Sequence, residues 1–343
     1  MTLRSEIAEQ PGVLQRLLDE SWPEAKRAAK DLAKAQHLTL VARGSSDNAA
    51  TYGKYVFESV AGIVTASAAP SLVTRYDAPP RFSGGAVIGI SQSGSSPDVA
   101  AVVDAARGDG AFTLALTNVA RSALARAADA TFLLRCGRER AVAATKTYTA
   151  SCLSLAILAS AMAQARGGSG LSLAGIVEAV REAVGREDEA RRLARRIGKG
   201  ERLVVLGRGY DYAAALEGAL KIKELARVWA EPYSTADFAH GPRTLLARGT
   251  PVLLFASVGA TIDEARRMAR QAHARGARVY AITNDDRLAE QSDDAVLLES
   301  AVSEALSPIS LVVVGQHVAA SVARQRGRDP ERPAGLSKVT RTL

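Results

Sequence analysis

Cysteine, histidine and aromatic residues are all scarce in this chain, and each scarcity narrows what it can be. Two cysteines, Cys136 and Cys152, in 343 residues argue against a disulfide-stapled secreted scaffold and fit a reducing compartment. Aromatics make up only 5% of the sequence, with no aromatic-basic patch for stacking bases, so nucleic acid is not an expected partner. The four histidines, two cysteines and the carboxylates show no metal-ligand spacing, and no Walker loop occurs. Neither a metal nor any other cofactor is expected. A run of about 18 apolar residues is lacking, which predicts no membrane span. The opening residues Met1-Thr2-Leu3-Arg4-Ser5-Glu6 carry no hydrophobic signal region, so the chain is expected to be mature as written and cytoplasmic, with no membrane partner.

What is present is aliphatic and basic. Hydrophobic residues reach 47%, and the formal charge is +8. The arginines are spread through helical stretches such as Ala190–Arg196, interleaved with Glu and Asp. They read as solvated helix faces, with a modest positive field that would also draw in a phosphate ester.

The chain repeats itself. Leu38–Ala42 matches Leu203–Leu206, Val87–Ile90 matches Val252–Phe255, Phe112–Asn118 matches Arg278–Asn284, and Phe132–Leu134 matches Val296–Leu298, at an offset of about 165 residues. These apolar runs lack polar alternation, as strands buried on both faces do, and Ala-rich helical stretches separate them. The pattern predicts an α/β protein of two tandem domains, each a parallel sheet flanked by helices in a flavodoxin-like, three-layer arrangement. The expected boundaries are a helical extension over 1–30, a first domain over 31–167, a helical linker over 168–196, a second domain over 197–328 and a C-terminal loop over 329–343.

In open parallel sheets ligands sit beyond the carboxyl ends of strands. Three segments of the first half that fit such ends are rich in hydroxyls: Arg43-Gly44-Ser45-Ser46, Ser91-Gln92-Ser93-Gly94-Ser95-Ser96-Pro97-Asp98, and Val142-Ala143-Ala144-Thr145-Lys146-Thr147. In the second, Ser96 suits an N-cap, Pro97 the first helical position and Asp98 the first turn. One serine there would only cap a helix. Ser91, Gln92, Ser93 and Ser96 together, joined by Gly44, Ser45 and Ser46, form a candidate metal-free phosphate site at a helix N-terminus, with Val142 and Ala144 as further candidate substrate contacts. In the second half, Gly207-Arg208-Gly209-Tyr210 and Ala256-Ser257-Val258-Gly259 have lost the serine cluster. The first half is therefore expected to bind phosphate and the second to donate catalytic groups.

Glu217, Lys221 and Glu224 fall at i, i+4 and i+7 on one face of an expected helix. By itself this spacing describes an ordinary solvent-facing Glu–Lys pair. Sixteen residues beyond Glu224 stands His240, in the rigid loop Ala239-His240-Gly241-Pro242.

These motifs, with Glu6–Pro11 at the start and Pro333–Lys338 near the end, resemble in order the isomerase module of the glutamine–fructose-6-phosphate aminotransferase (glucosamine-6-phosphate synthase) family, built of two sugar-isomerase (SIS) domains. The resemblance implies that His240 opens the sugar ring, Glu224 carries the proton between C2 and C1, and Lys338 reaches the open-chain carbonyl as a Schiff base. Glu217 and Lys221 would assist. It also implies a homodimer with shared active sites, the histidine coming from the neighbouring subunit. The chain is expected to begin directly at that module, without the glutaminase and its N-terminal cysteine. Its Ser-Pro-Asp phosphate loop is similar to that of stand-alone amino-sugar-phosphate deaminases. The function expected on this basis is conversion of glucosamine 6-phosphate to fructose 6-phosphate and ammonia, with both sugar phosphates as small-molecule partners. An aldose–ketose isomerase or deglycase, an aminating subunit with an external ammonia source, and a non-catalytic phosphosugar sensor stand as alternatives.

Overall fold

Among the described residues, ten short strands, five in each half, account for the apolar runs. The computed structural model describes residues 2–338. In the first half, β1 (Leu38–Val41), β2 (Thr65–Ser67), β3 (Ala86–Ile90), β4 (Phe112–Thr117) and β5 (Ala130–Leu133) pair in parallel in the order β2-β1-β3-β4-β5. In the second half, β6 (Arg202–Gly207), β7 (Trp229–Ser234), β8 (Pro251–Ala256), β9 (Arg278–Thr283) and β10 (Asp294–Leu297) repeat it as β10-β9-β8-β6-β7. Both are the flavodoxin-type order read from opposite edges, with a switch point between the first and third strands of each sheet. Helices flank each sheet, so each half is a three-layer α/β/α body, as the repeat predicts.

The eight matched runs are all strands. The two unpredicted strands, β2 and β7, lie at sheet edges. β2 is only Thr-Ala-Ser, and β7 carries Glu231 and Pro232. Neither has the apolar run that marks a central strand, and proline is tolerated at an edge because it removes only one ladder donor.

Contact clustering divides the chain into two units that do not follow the sequence midpoint. One holds Gly12–Glu139, Lys146–Ser172 and the described residues from Ser337; the other holds the described residues up to Pro11, Arg140–Thr145 and Leu173–Leu336. In the first unit the core helix is Lys146–Ala165, packed on Ser45–Val60 and Trp22–Leu32. It is long and apolar enough to cross a membrane by length and composition, but 89% of that window is buried within the protein. Ser151 Oγ donates to the Thr147 carbonyl one turn back, whereas the buried Ser154 hydroxyl finds no partner among the described residues. In the other unit Ser307–Gln325 occupies the matching place against Asp211–Ala226.

The expected helical linker over 168–196 holds two helices, Ile176–Gly185 and Glu187–Ile197, broken at Arg186. Arg186 holds Glu182, Glu189 and Glu299 together at the break. Neither cysteine forms a disulfide; both are buried. Burial, and then the charge of Glu139, pushes the Cys136 thiol far above its ordinary value.

Candidate functional site

In the first unit the switch point brings two of the hydroxyl-rich loops to one end of the sheet. β1 runs through Arg43 and Gly44 into the helix Ser45–Val60, and β3 runs through Ser91–Ser96 into the helix Pro97–Gly108. Arg43 Nε lies 2.6 Å from the buried Asp98 carboxylate, tying the first loop to the helix that starts at the second. Proline opens that helix as expected, but Ser96 makes no side-chain cap bond. Its hydroxyl instead lies 3.2 Å from Ser91 Oγ. The turn between them needs glycine: Gly94 has φ +63, and a Cβ there would sit 2.1 Å from Ser122 Oγ. A side chain would have to both enter the left-handed region and displace Ser122.

The loop's carbonyls are used internally: Ser91 O accepts from Gly94 N, and Gln92 O from Asn118 N. Its donors are not. The amide N–H groups of Gln92, Ser93 and Ser96 find no acceptor among the described residues. Open N–H groups, serine hydroxyls and a twelve-residue helix beginning at Pro97 make a receptor for an anion. Gly44, Ser45, Ser46, Ser91, Gln92, Ser93 and Ser96 all belong to this end of the first unit. Val142 and Ala144 fall in the segment Arg140–Thr145 of the other unit.

The equivalent end of the second sheet is filled by the protein's own oxygen atoms. Asp211 Oδ2 accepts from Ser257 N and Oγ at 2.7 and 2.8 Å. Glu304 Oε1 accepts from Ala260 N, and Asn284 Oδ1 from Val258 N. Burial pushes the Asp211 carboxyl up to about 7; the two Ser257 bonds pull it down, and the charge of Glu304 raises it again. The loss of the serines is thus matched by side-chain acceptors that take the loop's donors.

Beyond Asp211 runs the helix Asp211–Ala226. Gly218 lets it settle on the sheet, since a Cβ there would come within 2.7 Å of the Phe255 ring. This close approach turns the Glu–Lys face inward. Glu217 is 0% and Lys221 1% exposed, so the solvent-facing reading of the spacing is replaced by a buried charge cluster. Lys221 Nζ lies 3.3 Å from Glu217 Oε1 and 2.5 Å from Glu224 Oε2. Burial by itself would discharge Lys221, but the charges and hydrogen bonds of Glu217 and Glu224 outweigh it and hold the ammonium above its ordinary value. Glu224 keeps a quarter of its side chain exposed. Such an arrangement supplies a carboxylate at the surface, backed by a fixed cation, able to hold or pass a proton.

His240 is solvent-exposed at the end of the short helix Thr235–Ala239. Lys338, the last described residue, reaches the fully buried Glu139 carboxylate at 2.7 Å within the first unit. Sequence reasoning missed Glu139, Arg43 and Asp211. Glu139 sits among charged neighbours in Arg138-Glu139-Arg140 and reads as surface, whereas Asp211, directly after Gly-Arg-Gly-Tyr, was detectable as an acidic residue in a helix's first turn.

The profile described as the SIS domain matches residues 31–161 and 197–323. A glutamine–fructose-6-phosphate aminotransferase from Gloeobacter violaceus is 36% identical over 97% of this chain, which spans 57% of that relative's length. Among solved structures, a protein of Silicibacter pomeroyi DSS-3, provisionally assigned as a phosphosugar isomerase, is 36% identical with a TM-score of 0.80, over 96% of this chain and 100% of that one. The C-terminal domain of glucosamine-fructose-6-phosphate aminotransferase from Francisella tularensis is 26% identical with a TM-score of 0.87, each chain being covered to 96%.

Proposed function

This chain belongs to the SIS-domain family, and from that membership we propose that it binds a hexosamine 6-phosphate, opens its ring and moves a proton between C1 and C2, releasing ammonia and a ketose 6-phosphate. Glucosamine 6-phosphate and fructose 6-phosphate are the substrate and product of the proposal. The phosphate is taken by Ser91–Ser96 with Gly44, Ser45 and Ser46, and Val142 and Ala144 line the sugar. One observation carries the chemistry: Lys221 is buried between Glu217 and Glu224, at 3.3 and 2.5 Å, and only Glu224 of the three retains substantial exposure. A structural ion pair would have no need of that half-open end, whereas a proton carrier must meet its substrate.

In the proposed sequence, His240 opens the closed sugar, and Glu224 removes the proton from C2 and returns it to C1, so that the 2-amino aldose becomes a C2 imine. Lys338 adds to C2 and displaces ammonia as its own imine, and one water hydrolyses that imine to the ketose phosphate and free lysine. Lys221 fixes the Glu224 carboxylate, and Glu217 keeps Lys221 charged. The exposure of His240 and of the turn that follows leaves this loop open to a second subunit, and the proposal includes a homodimer, in the cytoplasm, with His240 serving the partner's site.

A second reading has its own support. The Gloeobacter relative, named an aminotransferase, aligns with 97% of this chain; on that reading the same residues run in the aminating direction with ammonia supplied to them. The purified 343-residue chain decides between the two. It is expected to release ammonia from glucosamine 6-phosphate without glutamine or added metal, and to take up solvent deuterium at the exchanging carbon. Glu224→Gln should abolish both while leaving binding nearly intact, since the amide matches the acid in shape but cannot act as the base. Isomerisation of a ketose phosphate with no ammonia from any hexosamine phosphate would replace the deaminase reading with the isomerase one. Ammonia-dependent synthesis of the amino sugar as the sole reaction would favour amination.

A further inference from the structure

Glu139 is a buried carboxylate whose partners include Thr147 and Lys338. Thr147 gives its backbone N–H at 3.2 Å and its hydroxyl at 2.7 Å, and Lys338 gives Nζ at 2.7 Å. Glu139 is 0% and Lys338 25% exposed at the side chain, and 199 residues separate them in sequence. Thr147 stands in the first turn of the core helix Lys146–Ala165, whose side chains are buried almost throughout. The next lysine along, Lys146, gives its own Nζ to the Arg138 carbonyl at 2.9 Å. The carboxylate is thus held rigidly from the helix side, while the lysine that meets it comes from near the chain's end and still touches solvent.

Lys338 Nζ lies 2.7 Å from a carboxylate held out of water, and at that distance in a low-dielectric setting the attraction is strong, so Glu139 exerts a fixed pull on this ammonium. A lysine on a flexible four-carbon stem otherwise spreads its amine over many positions. We infer that Glu139 is a positioning residue for the proposed reaction: it draws Lys338 to one place in the first unit and so sets where the amine meets the substrate's carbonyl. The inference rests on the reading of Lys338 as the imine-forming residue. Glu139 itself need not touch the sugar. Its effect falls on the geometry of attack, to which rates are acutely sensitive: a displacement of about 1 Å can cost on the order of 10²-fold.

The test uses the full chain with fructose 6-phosphate and borohydride, locating the reduced adduct by peptide mass and measuring kcat and KM in parallel. Wild type should be trapped at Lys338. Glu139→Gln should lower both the trapping rate and kcat on the order of 10²-fold, with KM changed by no more than about twofold, because the phosphate loop is untouched. Glu139→Asp, which keeps the buried charge and therefore guards against simple misfolding, should fall between the two. Equal trapping in wild type and both variants would overturn the inference and leave the proposed function standing. A raised KM with unchanged kcat would also overturn it, since that is the mark of a merely structural role. If wild type releases ammonia yet yields no adduct at Lys338, the imine reading itself fails and the inference falls with it.

Discussion

Ser93 lies in the loop proposed to take the phosphate, with its amide N–H open and its hydroxyl accepting from Ser95 N at 3.2 Å. A phosphate oxygen would take both the free amide and the hydroxyl, so Ser93→Ala removes one donor and leaves an anion partly unmet. The expected loss is about 1–3 kcal/mol in phosphosugar affinity. Calorimetry should register it with glucosamine 6-phosphate and register no change with unphosphorylated glucosamine, which should bind poorly throughout. Equal affinity of the wild type for sugar and sugar phosphate would remove the phosphate from this loop. At this scale residue type was readable where several like groups cluster after a strand, as the serines do. It was unreadable for Glu139 and Arg43, whose partners Lys338 and Asp98 lie far away in sequence. A lone charged residue in a charged segment has the same sequence signature whether it faces water or a buried partner.

The helix Asp211–Ala226 illustrates the same limit for a whole element. Its Glu–Lys spacing was visible, but a surface pair and a buried cluster have identical periodicity. What settles the matter is Gly218 against Phe255, a contact with a strand more than thirty residues away. The start of this helix should also leave a trace in stability. The folded-state pKa of Asp211 is raised to about 7 from 3.8. Between those values the native state binds more protons than the unfolded chain, so this residue's contribution makes stability fall as pH rises from about 4 to about 7, and level off above. Its ceiling is roughly 4 kcal/mol, from the size of the shift. Urea unfolding at pH 5 and pH 8 should therefore show a smaller loss in Asp211→Asn than in wild type, because the amide keeps an acceptor for Ser257 and carries no charge to desolvate. Identical pH slopes in the two proteins would mean that Asp211 is not titrating in the folded state.

For the whole molecule, the duplication was the most legible feature, since four strands of the first sheet recur in the second at a near-constant offset, and Gly44 and Gly209 even share φ +58. The homodimer is an expectation from the resemblance alone, and it calls for its own measurement. If His240 serves a neighbouring subunit, inactive Glu224→Gln and inactive His240→Ala proteins should recover activity when mixed. Random exchange gives half hybrids, each with one complete site, so roughly a quarter of wild-type activity is expected for a twofold dimer. Light scattering and a tag-based pull-down should establish exchange independently, and hybrids shown to form without recovery would place both residues in one subunit's site.

The two units trade their terminal segments. Leu3 N donates to Glu331, Arg4 pairs with Glu187 and Gln10 with Gln316, all within the unit built on the second sheet. Lys338, from the far end, belongs with the first. A gene cut between Ser172 and Leu173 would therefore not yield two self-sufficient domains, although the sequence repeat invites that division. Each fragment would carry a clasp whose counterpart was translated on the other, and would be left with buried acceptors or cations facing water. Separately expressed halves should be poorly folded. Coexpressed, they should find each other and restore activity in trans. The sequence repeat and the division into units thus follow different boundaries.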